Sequence, residues 1–104
     1  MTDMCYDGGT RTLTVPIDGE LDHHVARPLR ERIDRRLYET RPTVLRLDFS
    51  AVSFMDSSGL GLILGRAEAV EQLGGVLELV GLSDSQRRLV HMSGIDKLRH
   101  VRLI

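Results

Sequence analysis

The spacing of apolar residues in this chain switches repeatedly between two periods, and that alternation restricts the fold more than any other feature. Leu13, Val15 and Ile17 recur at every second position, as in a strand with one buried face. Leu29, Ile33 and Leu37 then recur at every fourth, as on one side of a helix. Leu45, Leu47 and Phe49 return to the strand spacing, and Leu60, Ile63, Leu64, Ala67 and Val70 return to the helical one. Strands that alternate with helices call for right-handed crossovers and a mainly parallel sheet.

Local signals place the boundaries. Gly8-Gly9-Thr10 between Cys5–Asp7 and Thr12–Ile17 predicts a hairpin. Proline is tolerated in the first turn of a helix and costs ~3 kcal/mol in its interior, so Pro28 predicts a first helix from about Ala26 to Glu39. That leaves Asp22, His23 and His24 in a loop. Arg41-Pro42 breaks the chain before a strand at Val44–Phe49. A second helix runs from Ser57 to Leu73 and stops at Gly74-Gly75. Val76–Val80 is a strand, Ser83-Asp84-Ser85-Gln86 is a capping box for a third helix ending at Gly94, and Val101–Leu103 is a last strand. The predicted order is β-β-α-β-α-β-α-β: an α/β fold with a mixed, mainly parallel sheet of four to five strands, in one domain over residues 1–104.

Composition narrows the function classes. Aromatic residues make up only 4 % of the chain and Trp is absent, so the core is aliphatic. A formal net charge of -1 argues against nucleic acid as a partner, which asks for a basic face. Cys5 is the only cysteine, which excludes an internal disulfide and fits a reducing cytosol. No basic-then-apolar leader opens the sequence, and Leu62-Ile63-Leu64 falls far short of the ~20 apolar residues that span a bilayer. A cytoplasmic protein, monomeric and without membrane contact, is the expectation.

The chemistry concentrates in Asp56-Ser57-Ser58-Gly59-Leu60-Gly61, where a strand gives way to a helix. Asp56 or Ser57 there can act as an N-cap. A serine on a helix N-terminus, where unpaired N–H groups and the dipole favour anions, also suits phosphorylation. The two readings are compatible if Asp56 caps and Ser57 points outward. On a helical wheel Gly61 and Gly65 lie opposite the apolar stripe, where a side-chain-free surface suits close approach of another protein, with Leu60 at its rim and Leu62 as an exposed apolar contact.

Other chemistries fit poorly. A Gly-x-Gly-x-x-Gly loop needs glycine where Leu64 stands, and no lysine follows for a Walker-type loop. A Gly-x-Ser-x-Gly elbow needs glycine where Met55 stands. His23 and His24 are adjacent rather than at helical ligand spacing, a lone cysteine completes no zinc set, and His91 and His100 read as surface or core residues. No metal, no cofactor and no enzymatic activity of its own are expected.

Three segments together, Gly19-Glu20-Leu21-Asp22-His23-His24, Phe54-Met55-Asp56-Ser57-Ser58-Gly59-Leu60-Gly61 and Met92-Ser93-Gly94, resemble the anti-sigma factor antagonists of the STAS-domain family, most closely those of the sporulation type. The resemblance implies that Ser57 is phosphorylated by its partner, an anti-sigma factor with a GHKL-type ATPase fold and serine kinase activity. Unphosphorylated antagonist would bind that factor and free the sigma factor, the phosphorylated form would be released, and a PP2C-type phosphatase would restore it. The partner surface is then expected to comprise Asp22, His23, His24, Asp56, Ser57, Ser58, Gly59, Leu60, Gly61, Leu62 and Gly65. Members of the family usually carry a helix after the last strand; this sequence reaches Ile104 without one, so that helix is expected to be either absent or cut off. The alternative reading is a STAS-type module that senses a small ligand such as a nucleotide.

Overall fold

A computed structural model describes residues 3–104. Asp7 makes the first turn: its carboxylate accepts from the Gly9 N–H at 2.8 Å and folds strand β1 (Cys5–Asp7) antiparallel onto β2 (Thr12–Leu21). Helix α1 (His23–Thr40) leads to β3 (Val44–Met55), and α2 (Ser57–Gln72) leads to β4 (Val76–Val80). Helix α3 (Asp84–Ser93) and a short 3-10 turn at Ile95–Lys97 lead to β5 (Val101–Leu103).

The five strands lie in the order β1-β2-β3-β4-β5, and every pair after the first is parallel. Each crossover moves one place in the same direction. With right-handed connections this puts all three helices on one face of the sheet. Burial agrees. Leu13, Val15, Leu45, Leu47, Phe49, Leu77 and Leu79 are sealed beneath Ile33 of α1, Ile63, Ala67 and Val70 of α2, and Val90 of α3. The opposite face is half-exposed and carries the cross-strand pair Arg46–Glu78, with Nε and Oε1 2.9 Å apart.

Three predicted boundaries are corrected. β2 and β3 run on past Ile17 and Phe49 and stay paired up to Leu21 opposite Met55. Register shifts after Pro16 and after Gly19 (φ +71°) break the every-second-residue pattern, so Asp18, Gly19 and Glu20 are all exposed within a strand. In the second half of β3 every third residue is buried: Phe49, Val52 and Met55. The third correction is α1, which starts at His23 rather than near Ala26 and carries Pro28 in its interior. His23 and His24 therefore sit in a helical first turn and not in a loop.

The other boundaries hold. α3 has the full capping box between Ser83 and Gln86 and closes on Gly94 in the left-handed conformation (φ +82°). At the end of α2 the Gly75 N–H donates to the Val70 carbonyl at 2.9 Å.

Candidate functional site

Two aspartates set the site. Asp22 has extended backbone, and its Oδ1 accepts from the His24 and Val25 N–H groups at 3.0 and 3.2 Å. Asp56 is likewise extended, and its Oδ1 accepts from the Ser58 N–H at 2.8 Å. The strands that precede them end in register, and the Asp56 N–H donates to the Leu21 carbonyl at 3.4 Å. The N-termini of α1 and α2 thus emerge side by side at the carboxyl ends of the parallel strands, where open α/β sheets carry their sites.

Both carboxylates are engaged as caps, which leaves Ser57 as the first residue of α2 with its side chain exposed. Ser58 is half-buried. Any phosphate on Ser57 would meet the positive end of the helix, so the fold can accommodate it.

The glycines of α2 divide by role. Gly59 is buried; a Cβ there would collide with the Met55 side chain and lie 3.2 Å from Leu21 Cδ2. It lets the helix start lie directly on the ends of β2 and β3, so this residue, expected on the partner surface, is a packing residue. Gly61 and Gly65 match their expected placement: a Cβ at either would meet no atom within 4 Å. Two leucines exchange their expected roles. Leu62 is 4 % exposed, whereas Leu64, expected in the core, is 40 % exposed. Leu60 is partly buried at the rim of the core.

Gly61 lines two shallow grooves. On one side, Leu60, Leu64, Ile95 and Leu98 line an apolar depression of about 220 Å³ that also includes Ser93 and Gly94. The Met92-Ser93-Gly94 segment therefore lies beside the α2 segment, with Met92 prominently exposed. On the other side, a groove of about 500 Å³ between α1 and α2 is lined by His23, Ala26, Arg27 and Arg30 and by Ser58, Gly61 and Leu62. Sequence reading missed Arg27 and Arg30. Their signal was present, since His23, Arg27 and Arg30 form a helical stripe, but only for a helix that begins at His23.

Arg66 lies deeper between the same helices. Its Nε is 2.9 Å from Asp34 Oδ1, and its side chain is buried. The contact is close but poorly aligned for hydrogen bonding, so charge holds the pair. Burial pulls the Arg66 guanidinium below its usual range; Asp34 opposes that shift, Arg30 adds to it and Glu68 opposes it. His91 and His100 belong elsewhere: they face Asp96 and Glu71 at 2.8 and 3.1 Å. Among the described residues, no cluster of acidic, histidine or cysteine side chains is arranged to hold a metal ion. No helix among them is long and apolar enough to cross a membrane.

The STAS domain family model matches residues 6–103. The chain belongs to the STAS-domain family. The anti-sigma F factor antagonist of Paenibacillus polymyxa is 37 % identical over 86 residues, which cover 83 % of this chain and 74 % of the relative. The solved structure of the unphosphorylated anti-sigma factor antagonist SpoIIAA superposes with a TM-score of 0.79 at 31 % identity, covering 98 % of this chain and 88 % of that one. The phosphorylated form of the Bacillus protein SpoIIAA gives 0.73 at the same 31 % identity, covering 98 % and 91 %. This STAS domain thus shares its architecture with a protein solved in both phosphorylation states.

Proposed function

We propose that this STAS domain is a phosphorylation-controlled antagonist of an anti-sigma factor. In its unphosphorylated form it binds an anti-sigma factor that is also a serine kinase, and so releases the sigma factor. The γ-phosphoryl group of ATP held by that partner passes to Ser57 Oγ. The bond to the β-phosphate of ADP breaks as the new P–O bond forms, and the hydroxyl proton goes to a base on the partner. A PP2C-type phosphatase later hydrolyses the phosphoserine.

One observation carries the reading. Asp56 turns inward to cap α2, which leaves the Ser57 hydroxyl exposed at the edge of a surface that Gly61 keeps flat. Phosphorylation adds about -1.5 to -2 charges at that edge. Charge and bulk there obstruct a docked protein while leaving the core untouched.

The test combines purified protein, ATP and the anti-sigma factor of the same organism. Intact mass should gain one phosphoryl group, peptide mapping should place it on Ser57, and the Ser57→Ala protein should stay unmodified and remain bound. Phosphate on Ser58, or no complex at all, would refute the assignment. Stabilisation by a nucleotide without any partner would favour the ligand-sensing alternative.

A further inference from the structure

We infer that the groove between α1 and α2 receives an acidic segment of the partner protein, whose carboxylates pair with Arg27 and Arg30. This rests on the proposed antagonist function and gives its binding surface a chemical specificity that the flat α2 face alone does not have.

The charge balance of the groove supports it. The lining contains two arginines and no carboxylate. Nearby acids are occupied: Asp22 and Asp56 cap their helices, and Asp34 faces Arg66. Glu31 approaches Arg27 at 3.8 Å, but both side chains are largely exposed, so that pair is weak and easily exchanged. Arg30 has no ion pair among the described residues. Its charge is felt at the buried Arg66, which Asp34 already pairs.

The shape and position favour a protein segment. Arg27 and Arg30 lie three residues apart on one helix face, which matches carboxylates spaced three or four apart on a partner helix. A small anion would find exposed arginines without an enclosing cage, and a net charge of -1 gives nucleic acid no extended basic face. Ser58 and Gly61 form the far wall, so a partner that reaches the neighbouring Ser57 hydroxyl must already cover this groove. A phosphate on Ser57 would repel the incoming carboxylates and compete for the same cations. The groove thereby links phosphorylation to release.

The experiment measures affinity for the anti-sigma factor of the same organism at salt from ~50 to ~400 mM, a range over which screening of exposed charges changes strongly. The variants are Arg27→Glu with Arg30→Glu, the same pair changed to Gln, and Arg35→Glu, an exposed α1 position outside the groove. Thermal melting confirms folding, and the Gln pair serves if the Glu pair is unstable. Reversing both charges should weaken binding at least ~10-fold at low salt and flatten its salt dependence; neutralising them should do so less, and Arg35→Glu should stay within about twofold. Wild-type binding that both pairs leave intact, with unchanged salt dependence, would overturn the groove while keeping the antagonist function. A wild-type protein that binds no anti-sigma factor would remove both.

Discussion

Gly59 and Gly61 are two residues apart in α2 and have opposite tasks. At Gly59 an added methyl meets Met55 and Leu21, both buried at the strand ends, so relief requires the core to move. Gly59→Ala should lower unfolding free energy by ~1–3 kcal/mol from overpacking, partly offset by about 1 kcal/mol of helix propensity. Met55→Ala in the same protein should recover much of that loss, a coupling that denaturant unfolding of the double-mutant cycle detects. Gly61 faces open space, so Gly61→Arg should leave stability unchanged or raise it by up to ~1 kcal/mol while sharply weakening partner affinity. Unchanged affinity with lost stability would remove Gly61 from the interface. The sequence placed Gly61 correctly because its wheel position is a local property. It misplaced Gly59, Leu62 and Leu64 because a single apolar stripe assumes one packing partner. α2 has two: Gly59, Ile63, Ala67 and Val70 are buried along the sheet side, whereas Leu62 lines the α1 groove and Arg66 faces Asp34 of α1. The buried arc is turned towards α1 relative to the stripe, taking in Leu62 and Arg66 and leaving Leu64 outside.

At the scale of elements, the start of α1 shows how a cap competes with a proline. Pro28 cannot donate the bond to the His24 carbonyl, and its ring crowds that turn. Sequence reasoning therefore began the helix near Ala26. The structure keeps the earlier turn because the Asp22 carboxylate holds the His24 and Val25 N–H groups, while the Asp22 carbonyl accepts from Ala26 at 2.9 Å. Asp22→Ala should cost ~1–2 kcal/mol, at the upper end for an N-cap because little else secures the turn ahead of Pro28. Amide exchange at His24 and Val25 should accelerate before global unfolding does, and protection that persists there would show that the cap is dispensable. The same principle explains which strands were readable. β4 is uninterrupted and was placed residue for residue; β2 and β3 were cut short where bulges and every-third-residue burial hide the strand period.

At the scale of the whole molecule, one-directional crossovers on one face make the site as much as any single residue does. They bring the starts of α1 and α2 together, and Arg66–Asp34 ties the two helices further along. The order of elements was legible because strand and helix spacings alternate. The basic groove was not, because it exists only between two helices whose relative placement no local pattern contains. This arrangement also predicts what phosphorylation cannot do. Ser57 is exposed at the first position of α2, outside the core, and the Asp56 cap bonds to the Ser58 N–H rather than to the Ser57 side chain. A phosphate there gains from the helix dipole and loses from repulsion by Asp56, a balance worth a few tenths to ~1 kcal/mol either way. Circular dichroism and the melting temperature of the Ser57-phosphorylated domain should therefore match the unmodified protein closely, while affinity for the anti-sigma factor falls by orders of magnitude. A loss of several kcal/mol on phosphorylation would mean that the switch works by melting α2 from its N-terminus, and the basic groove would then be dismantled rather than blocked.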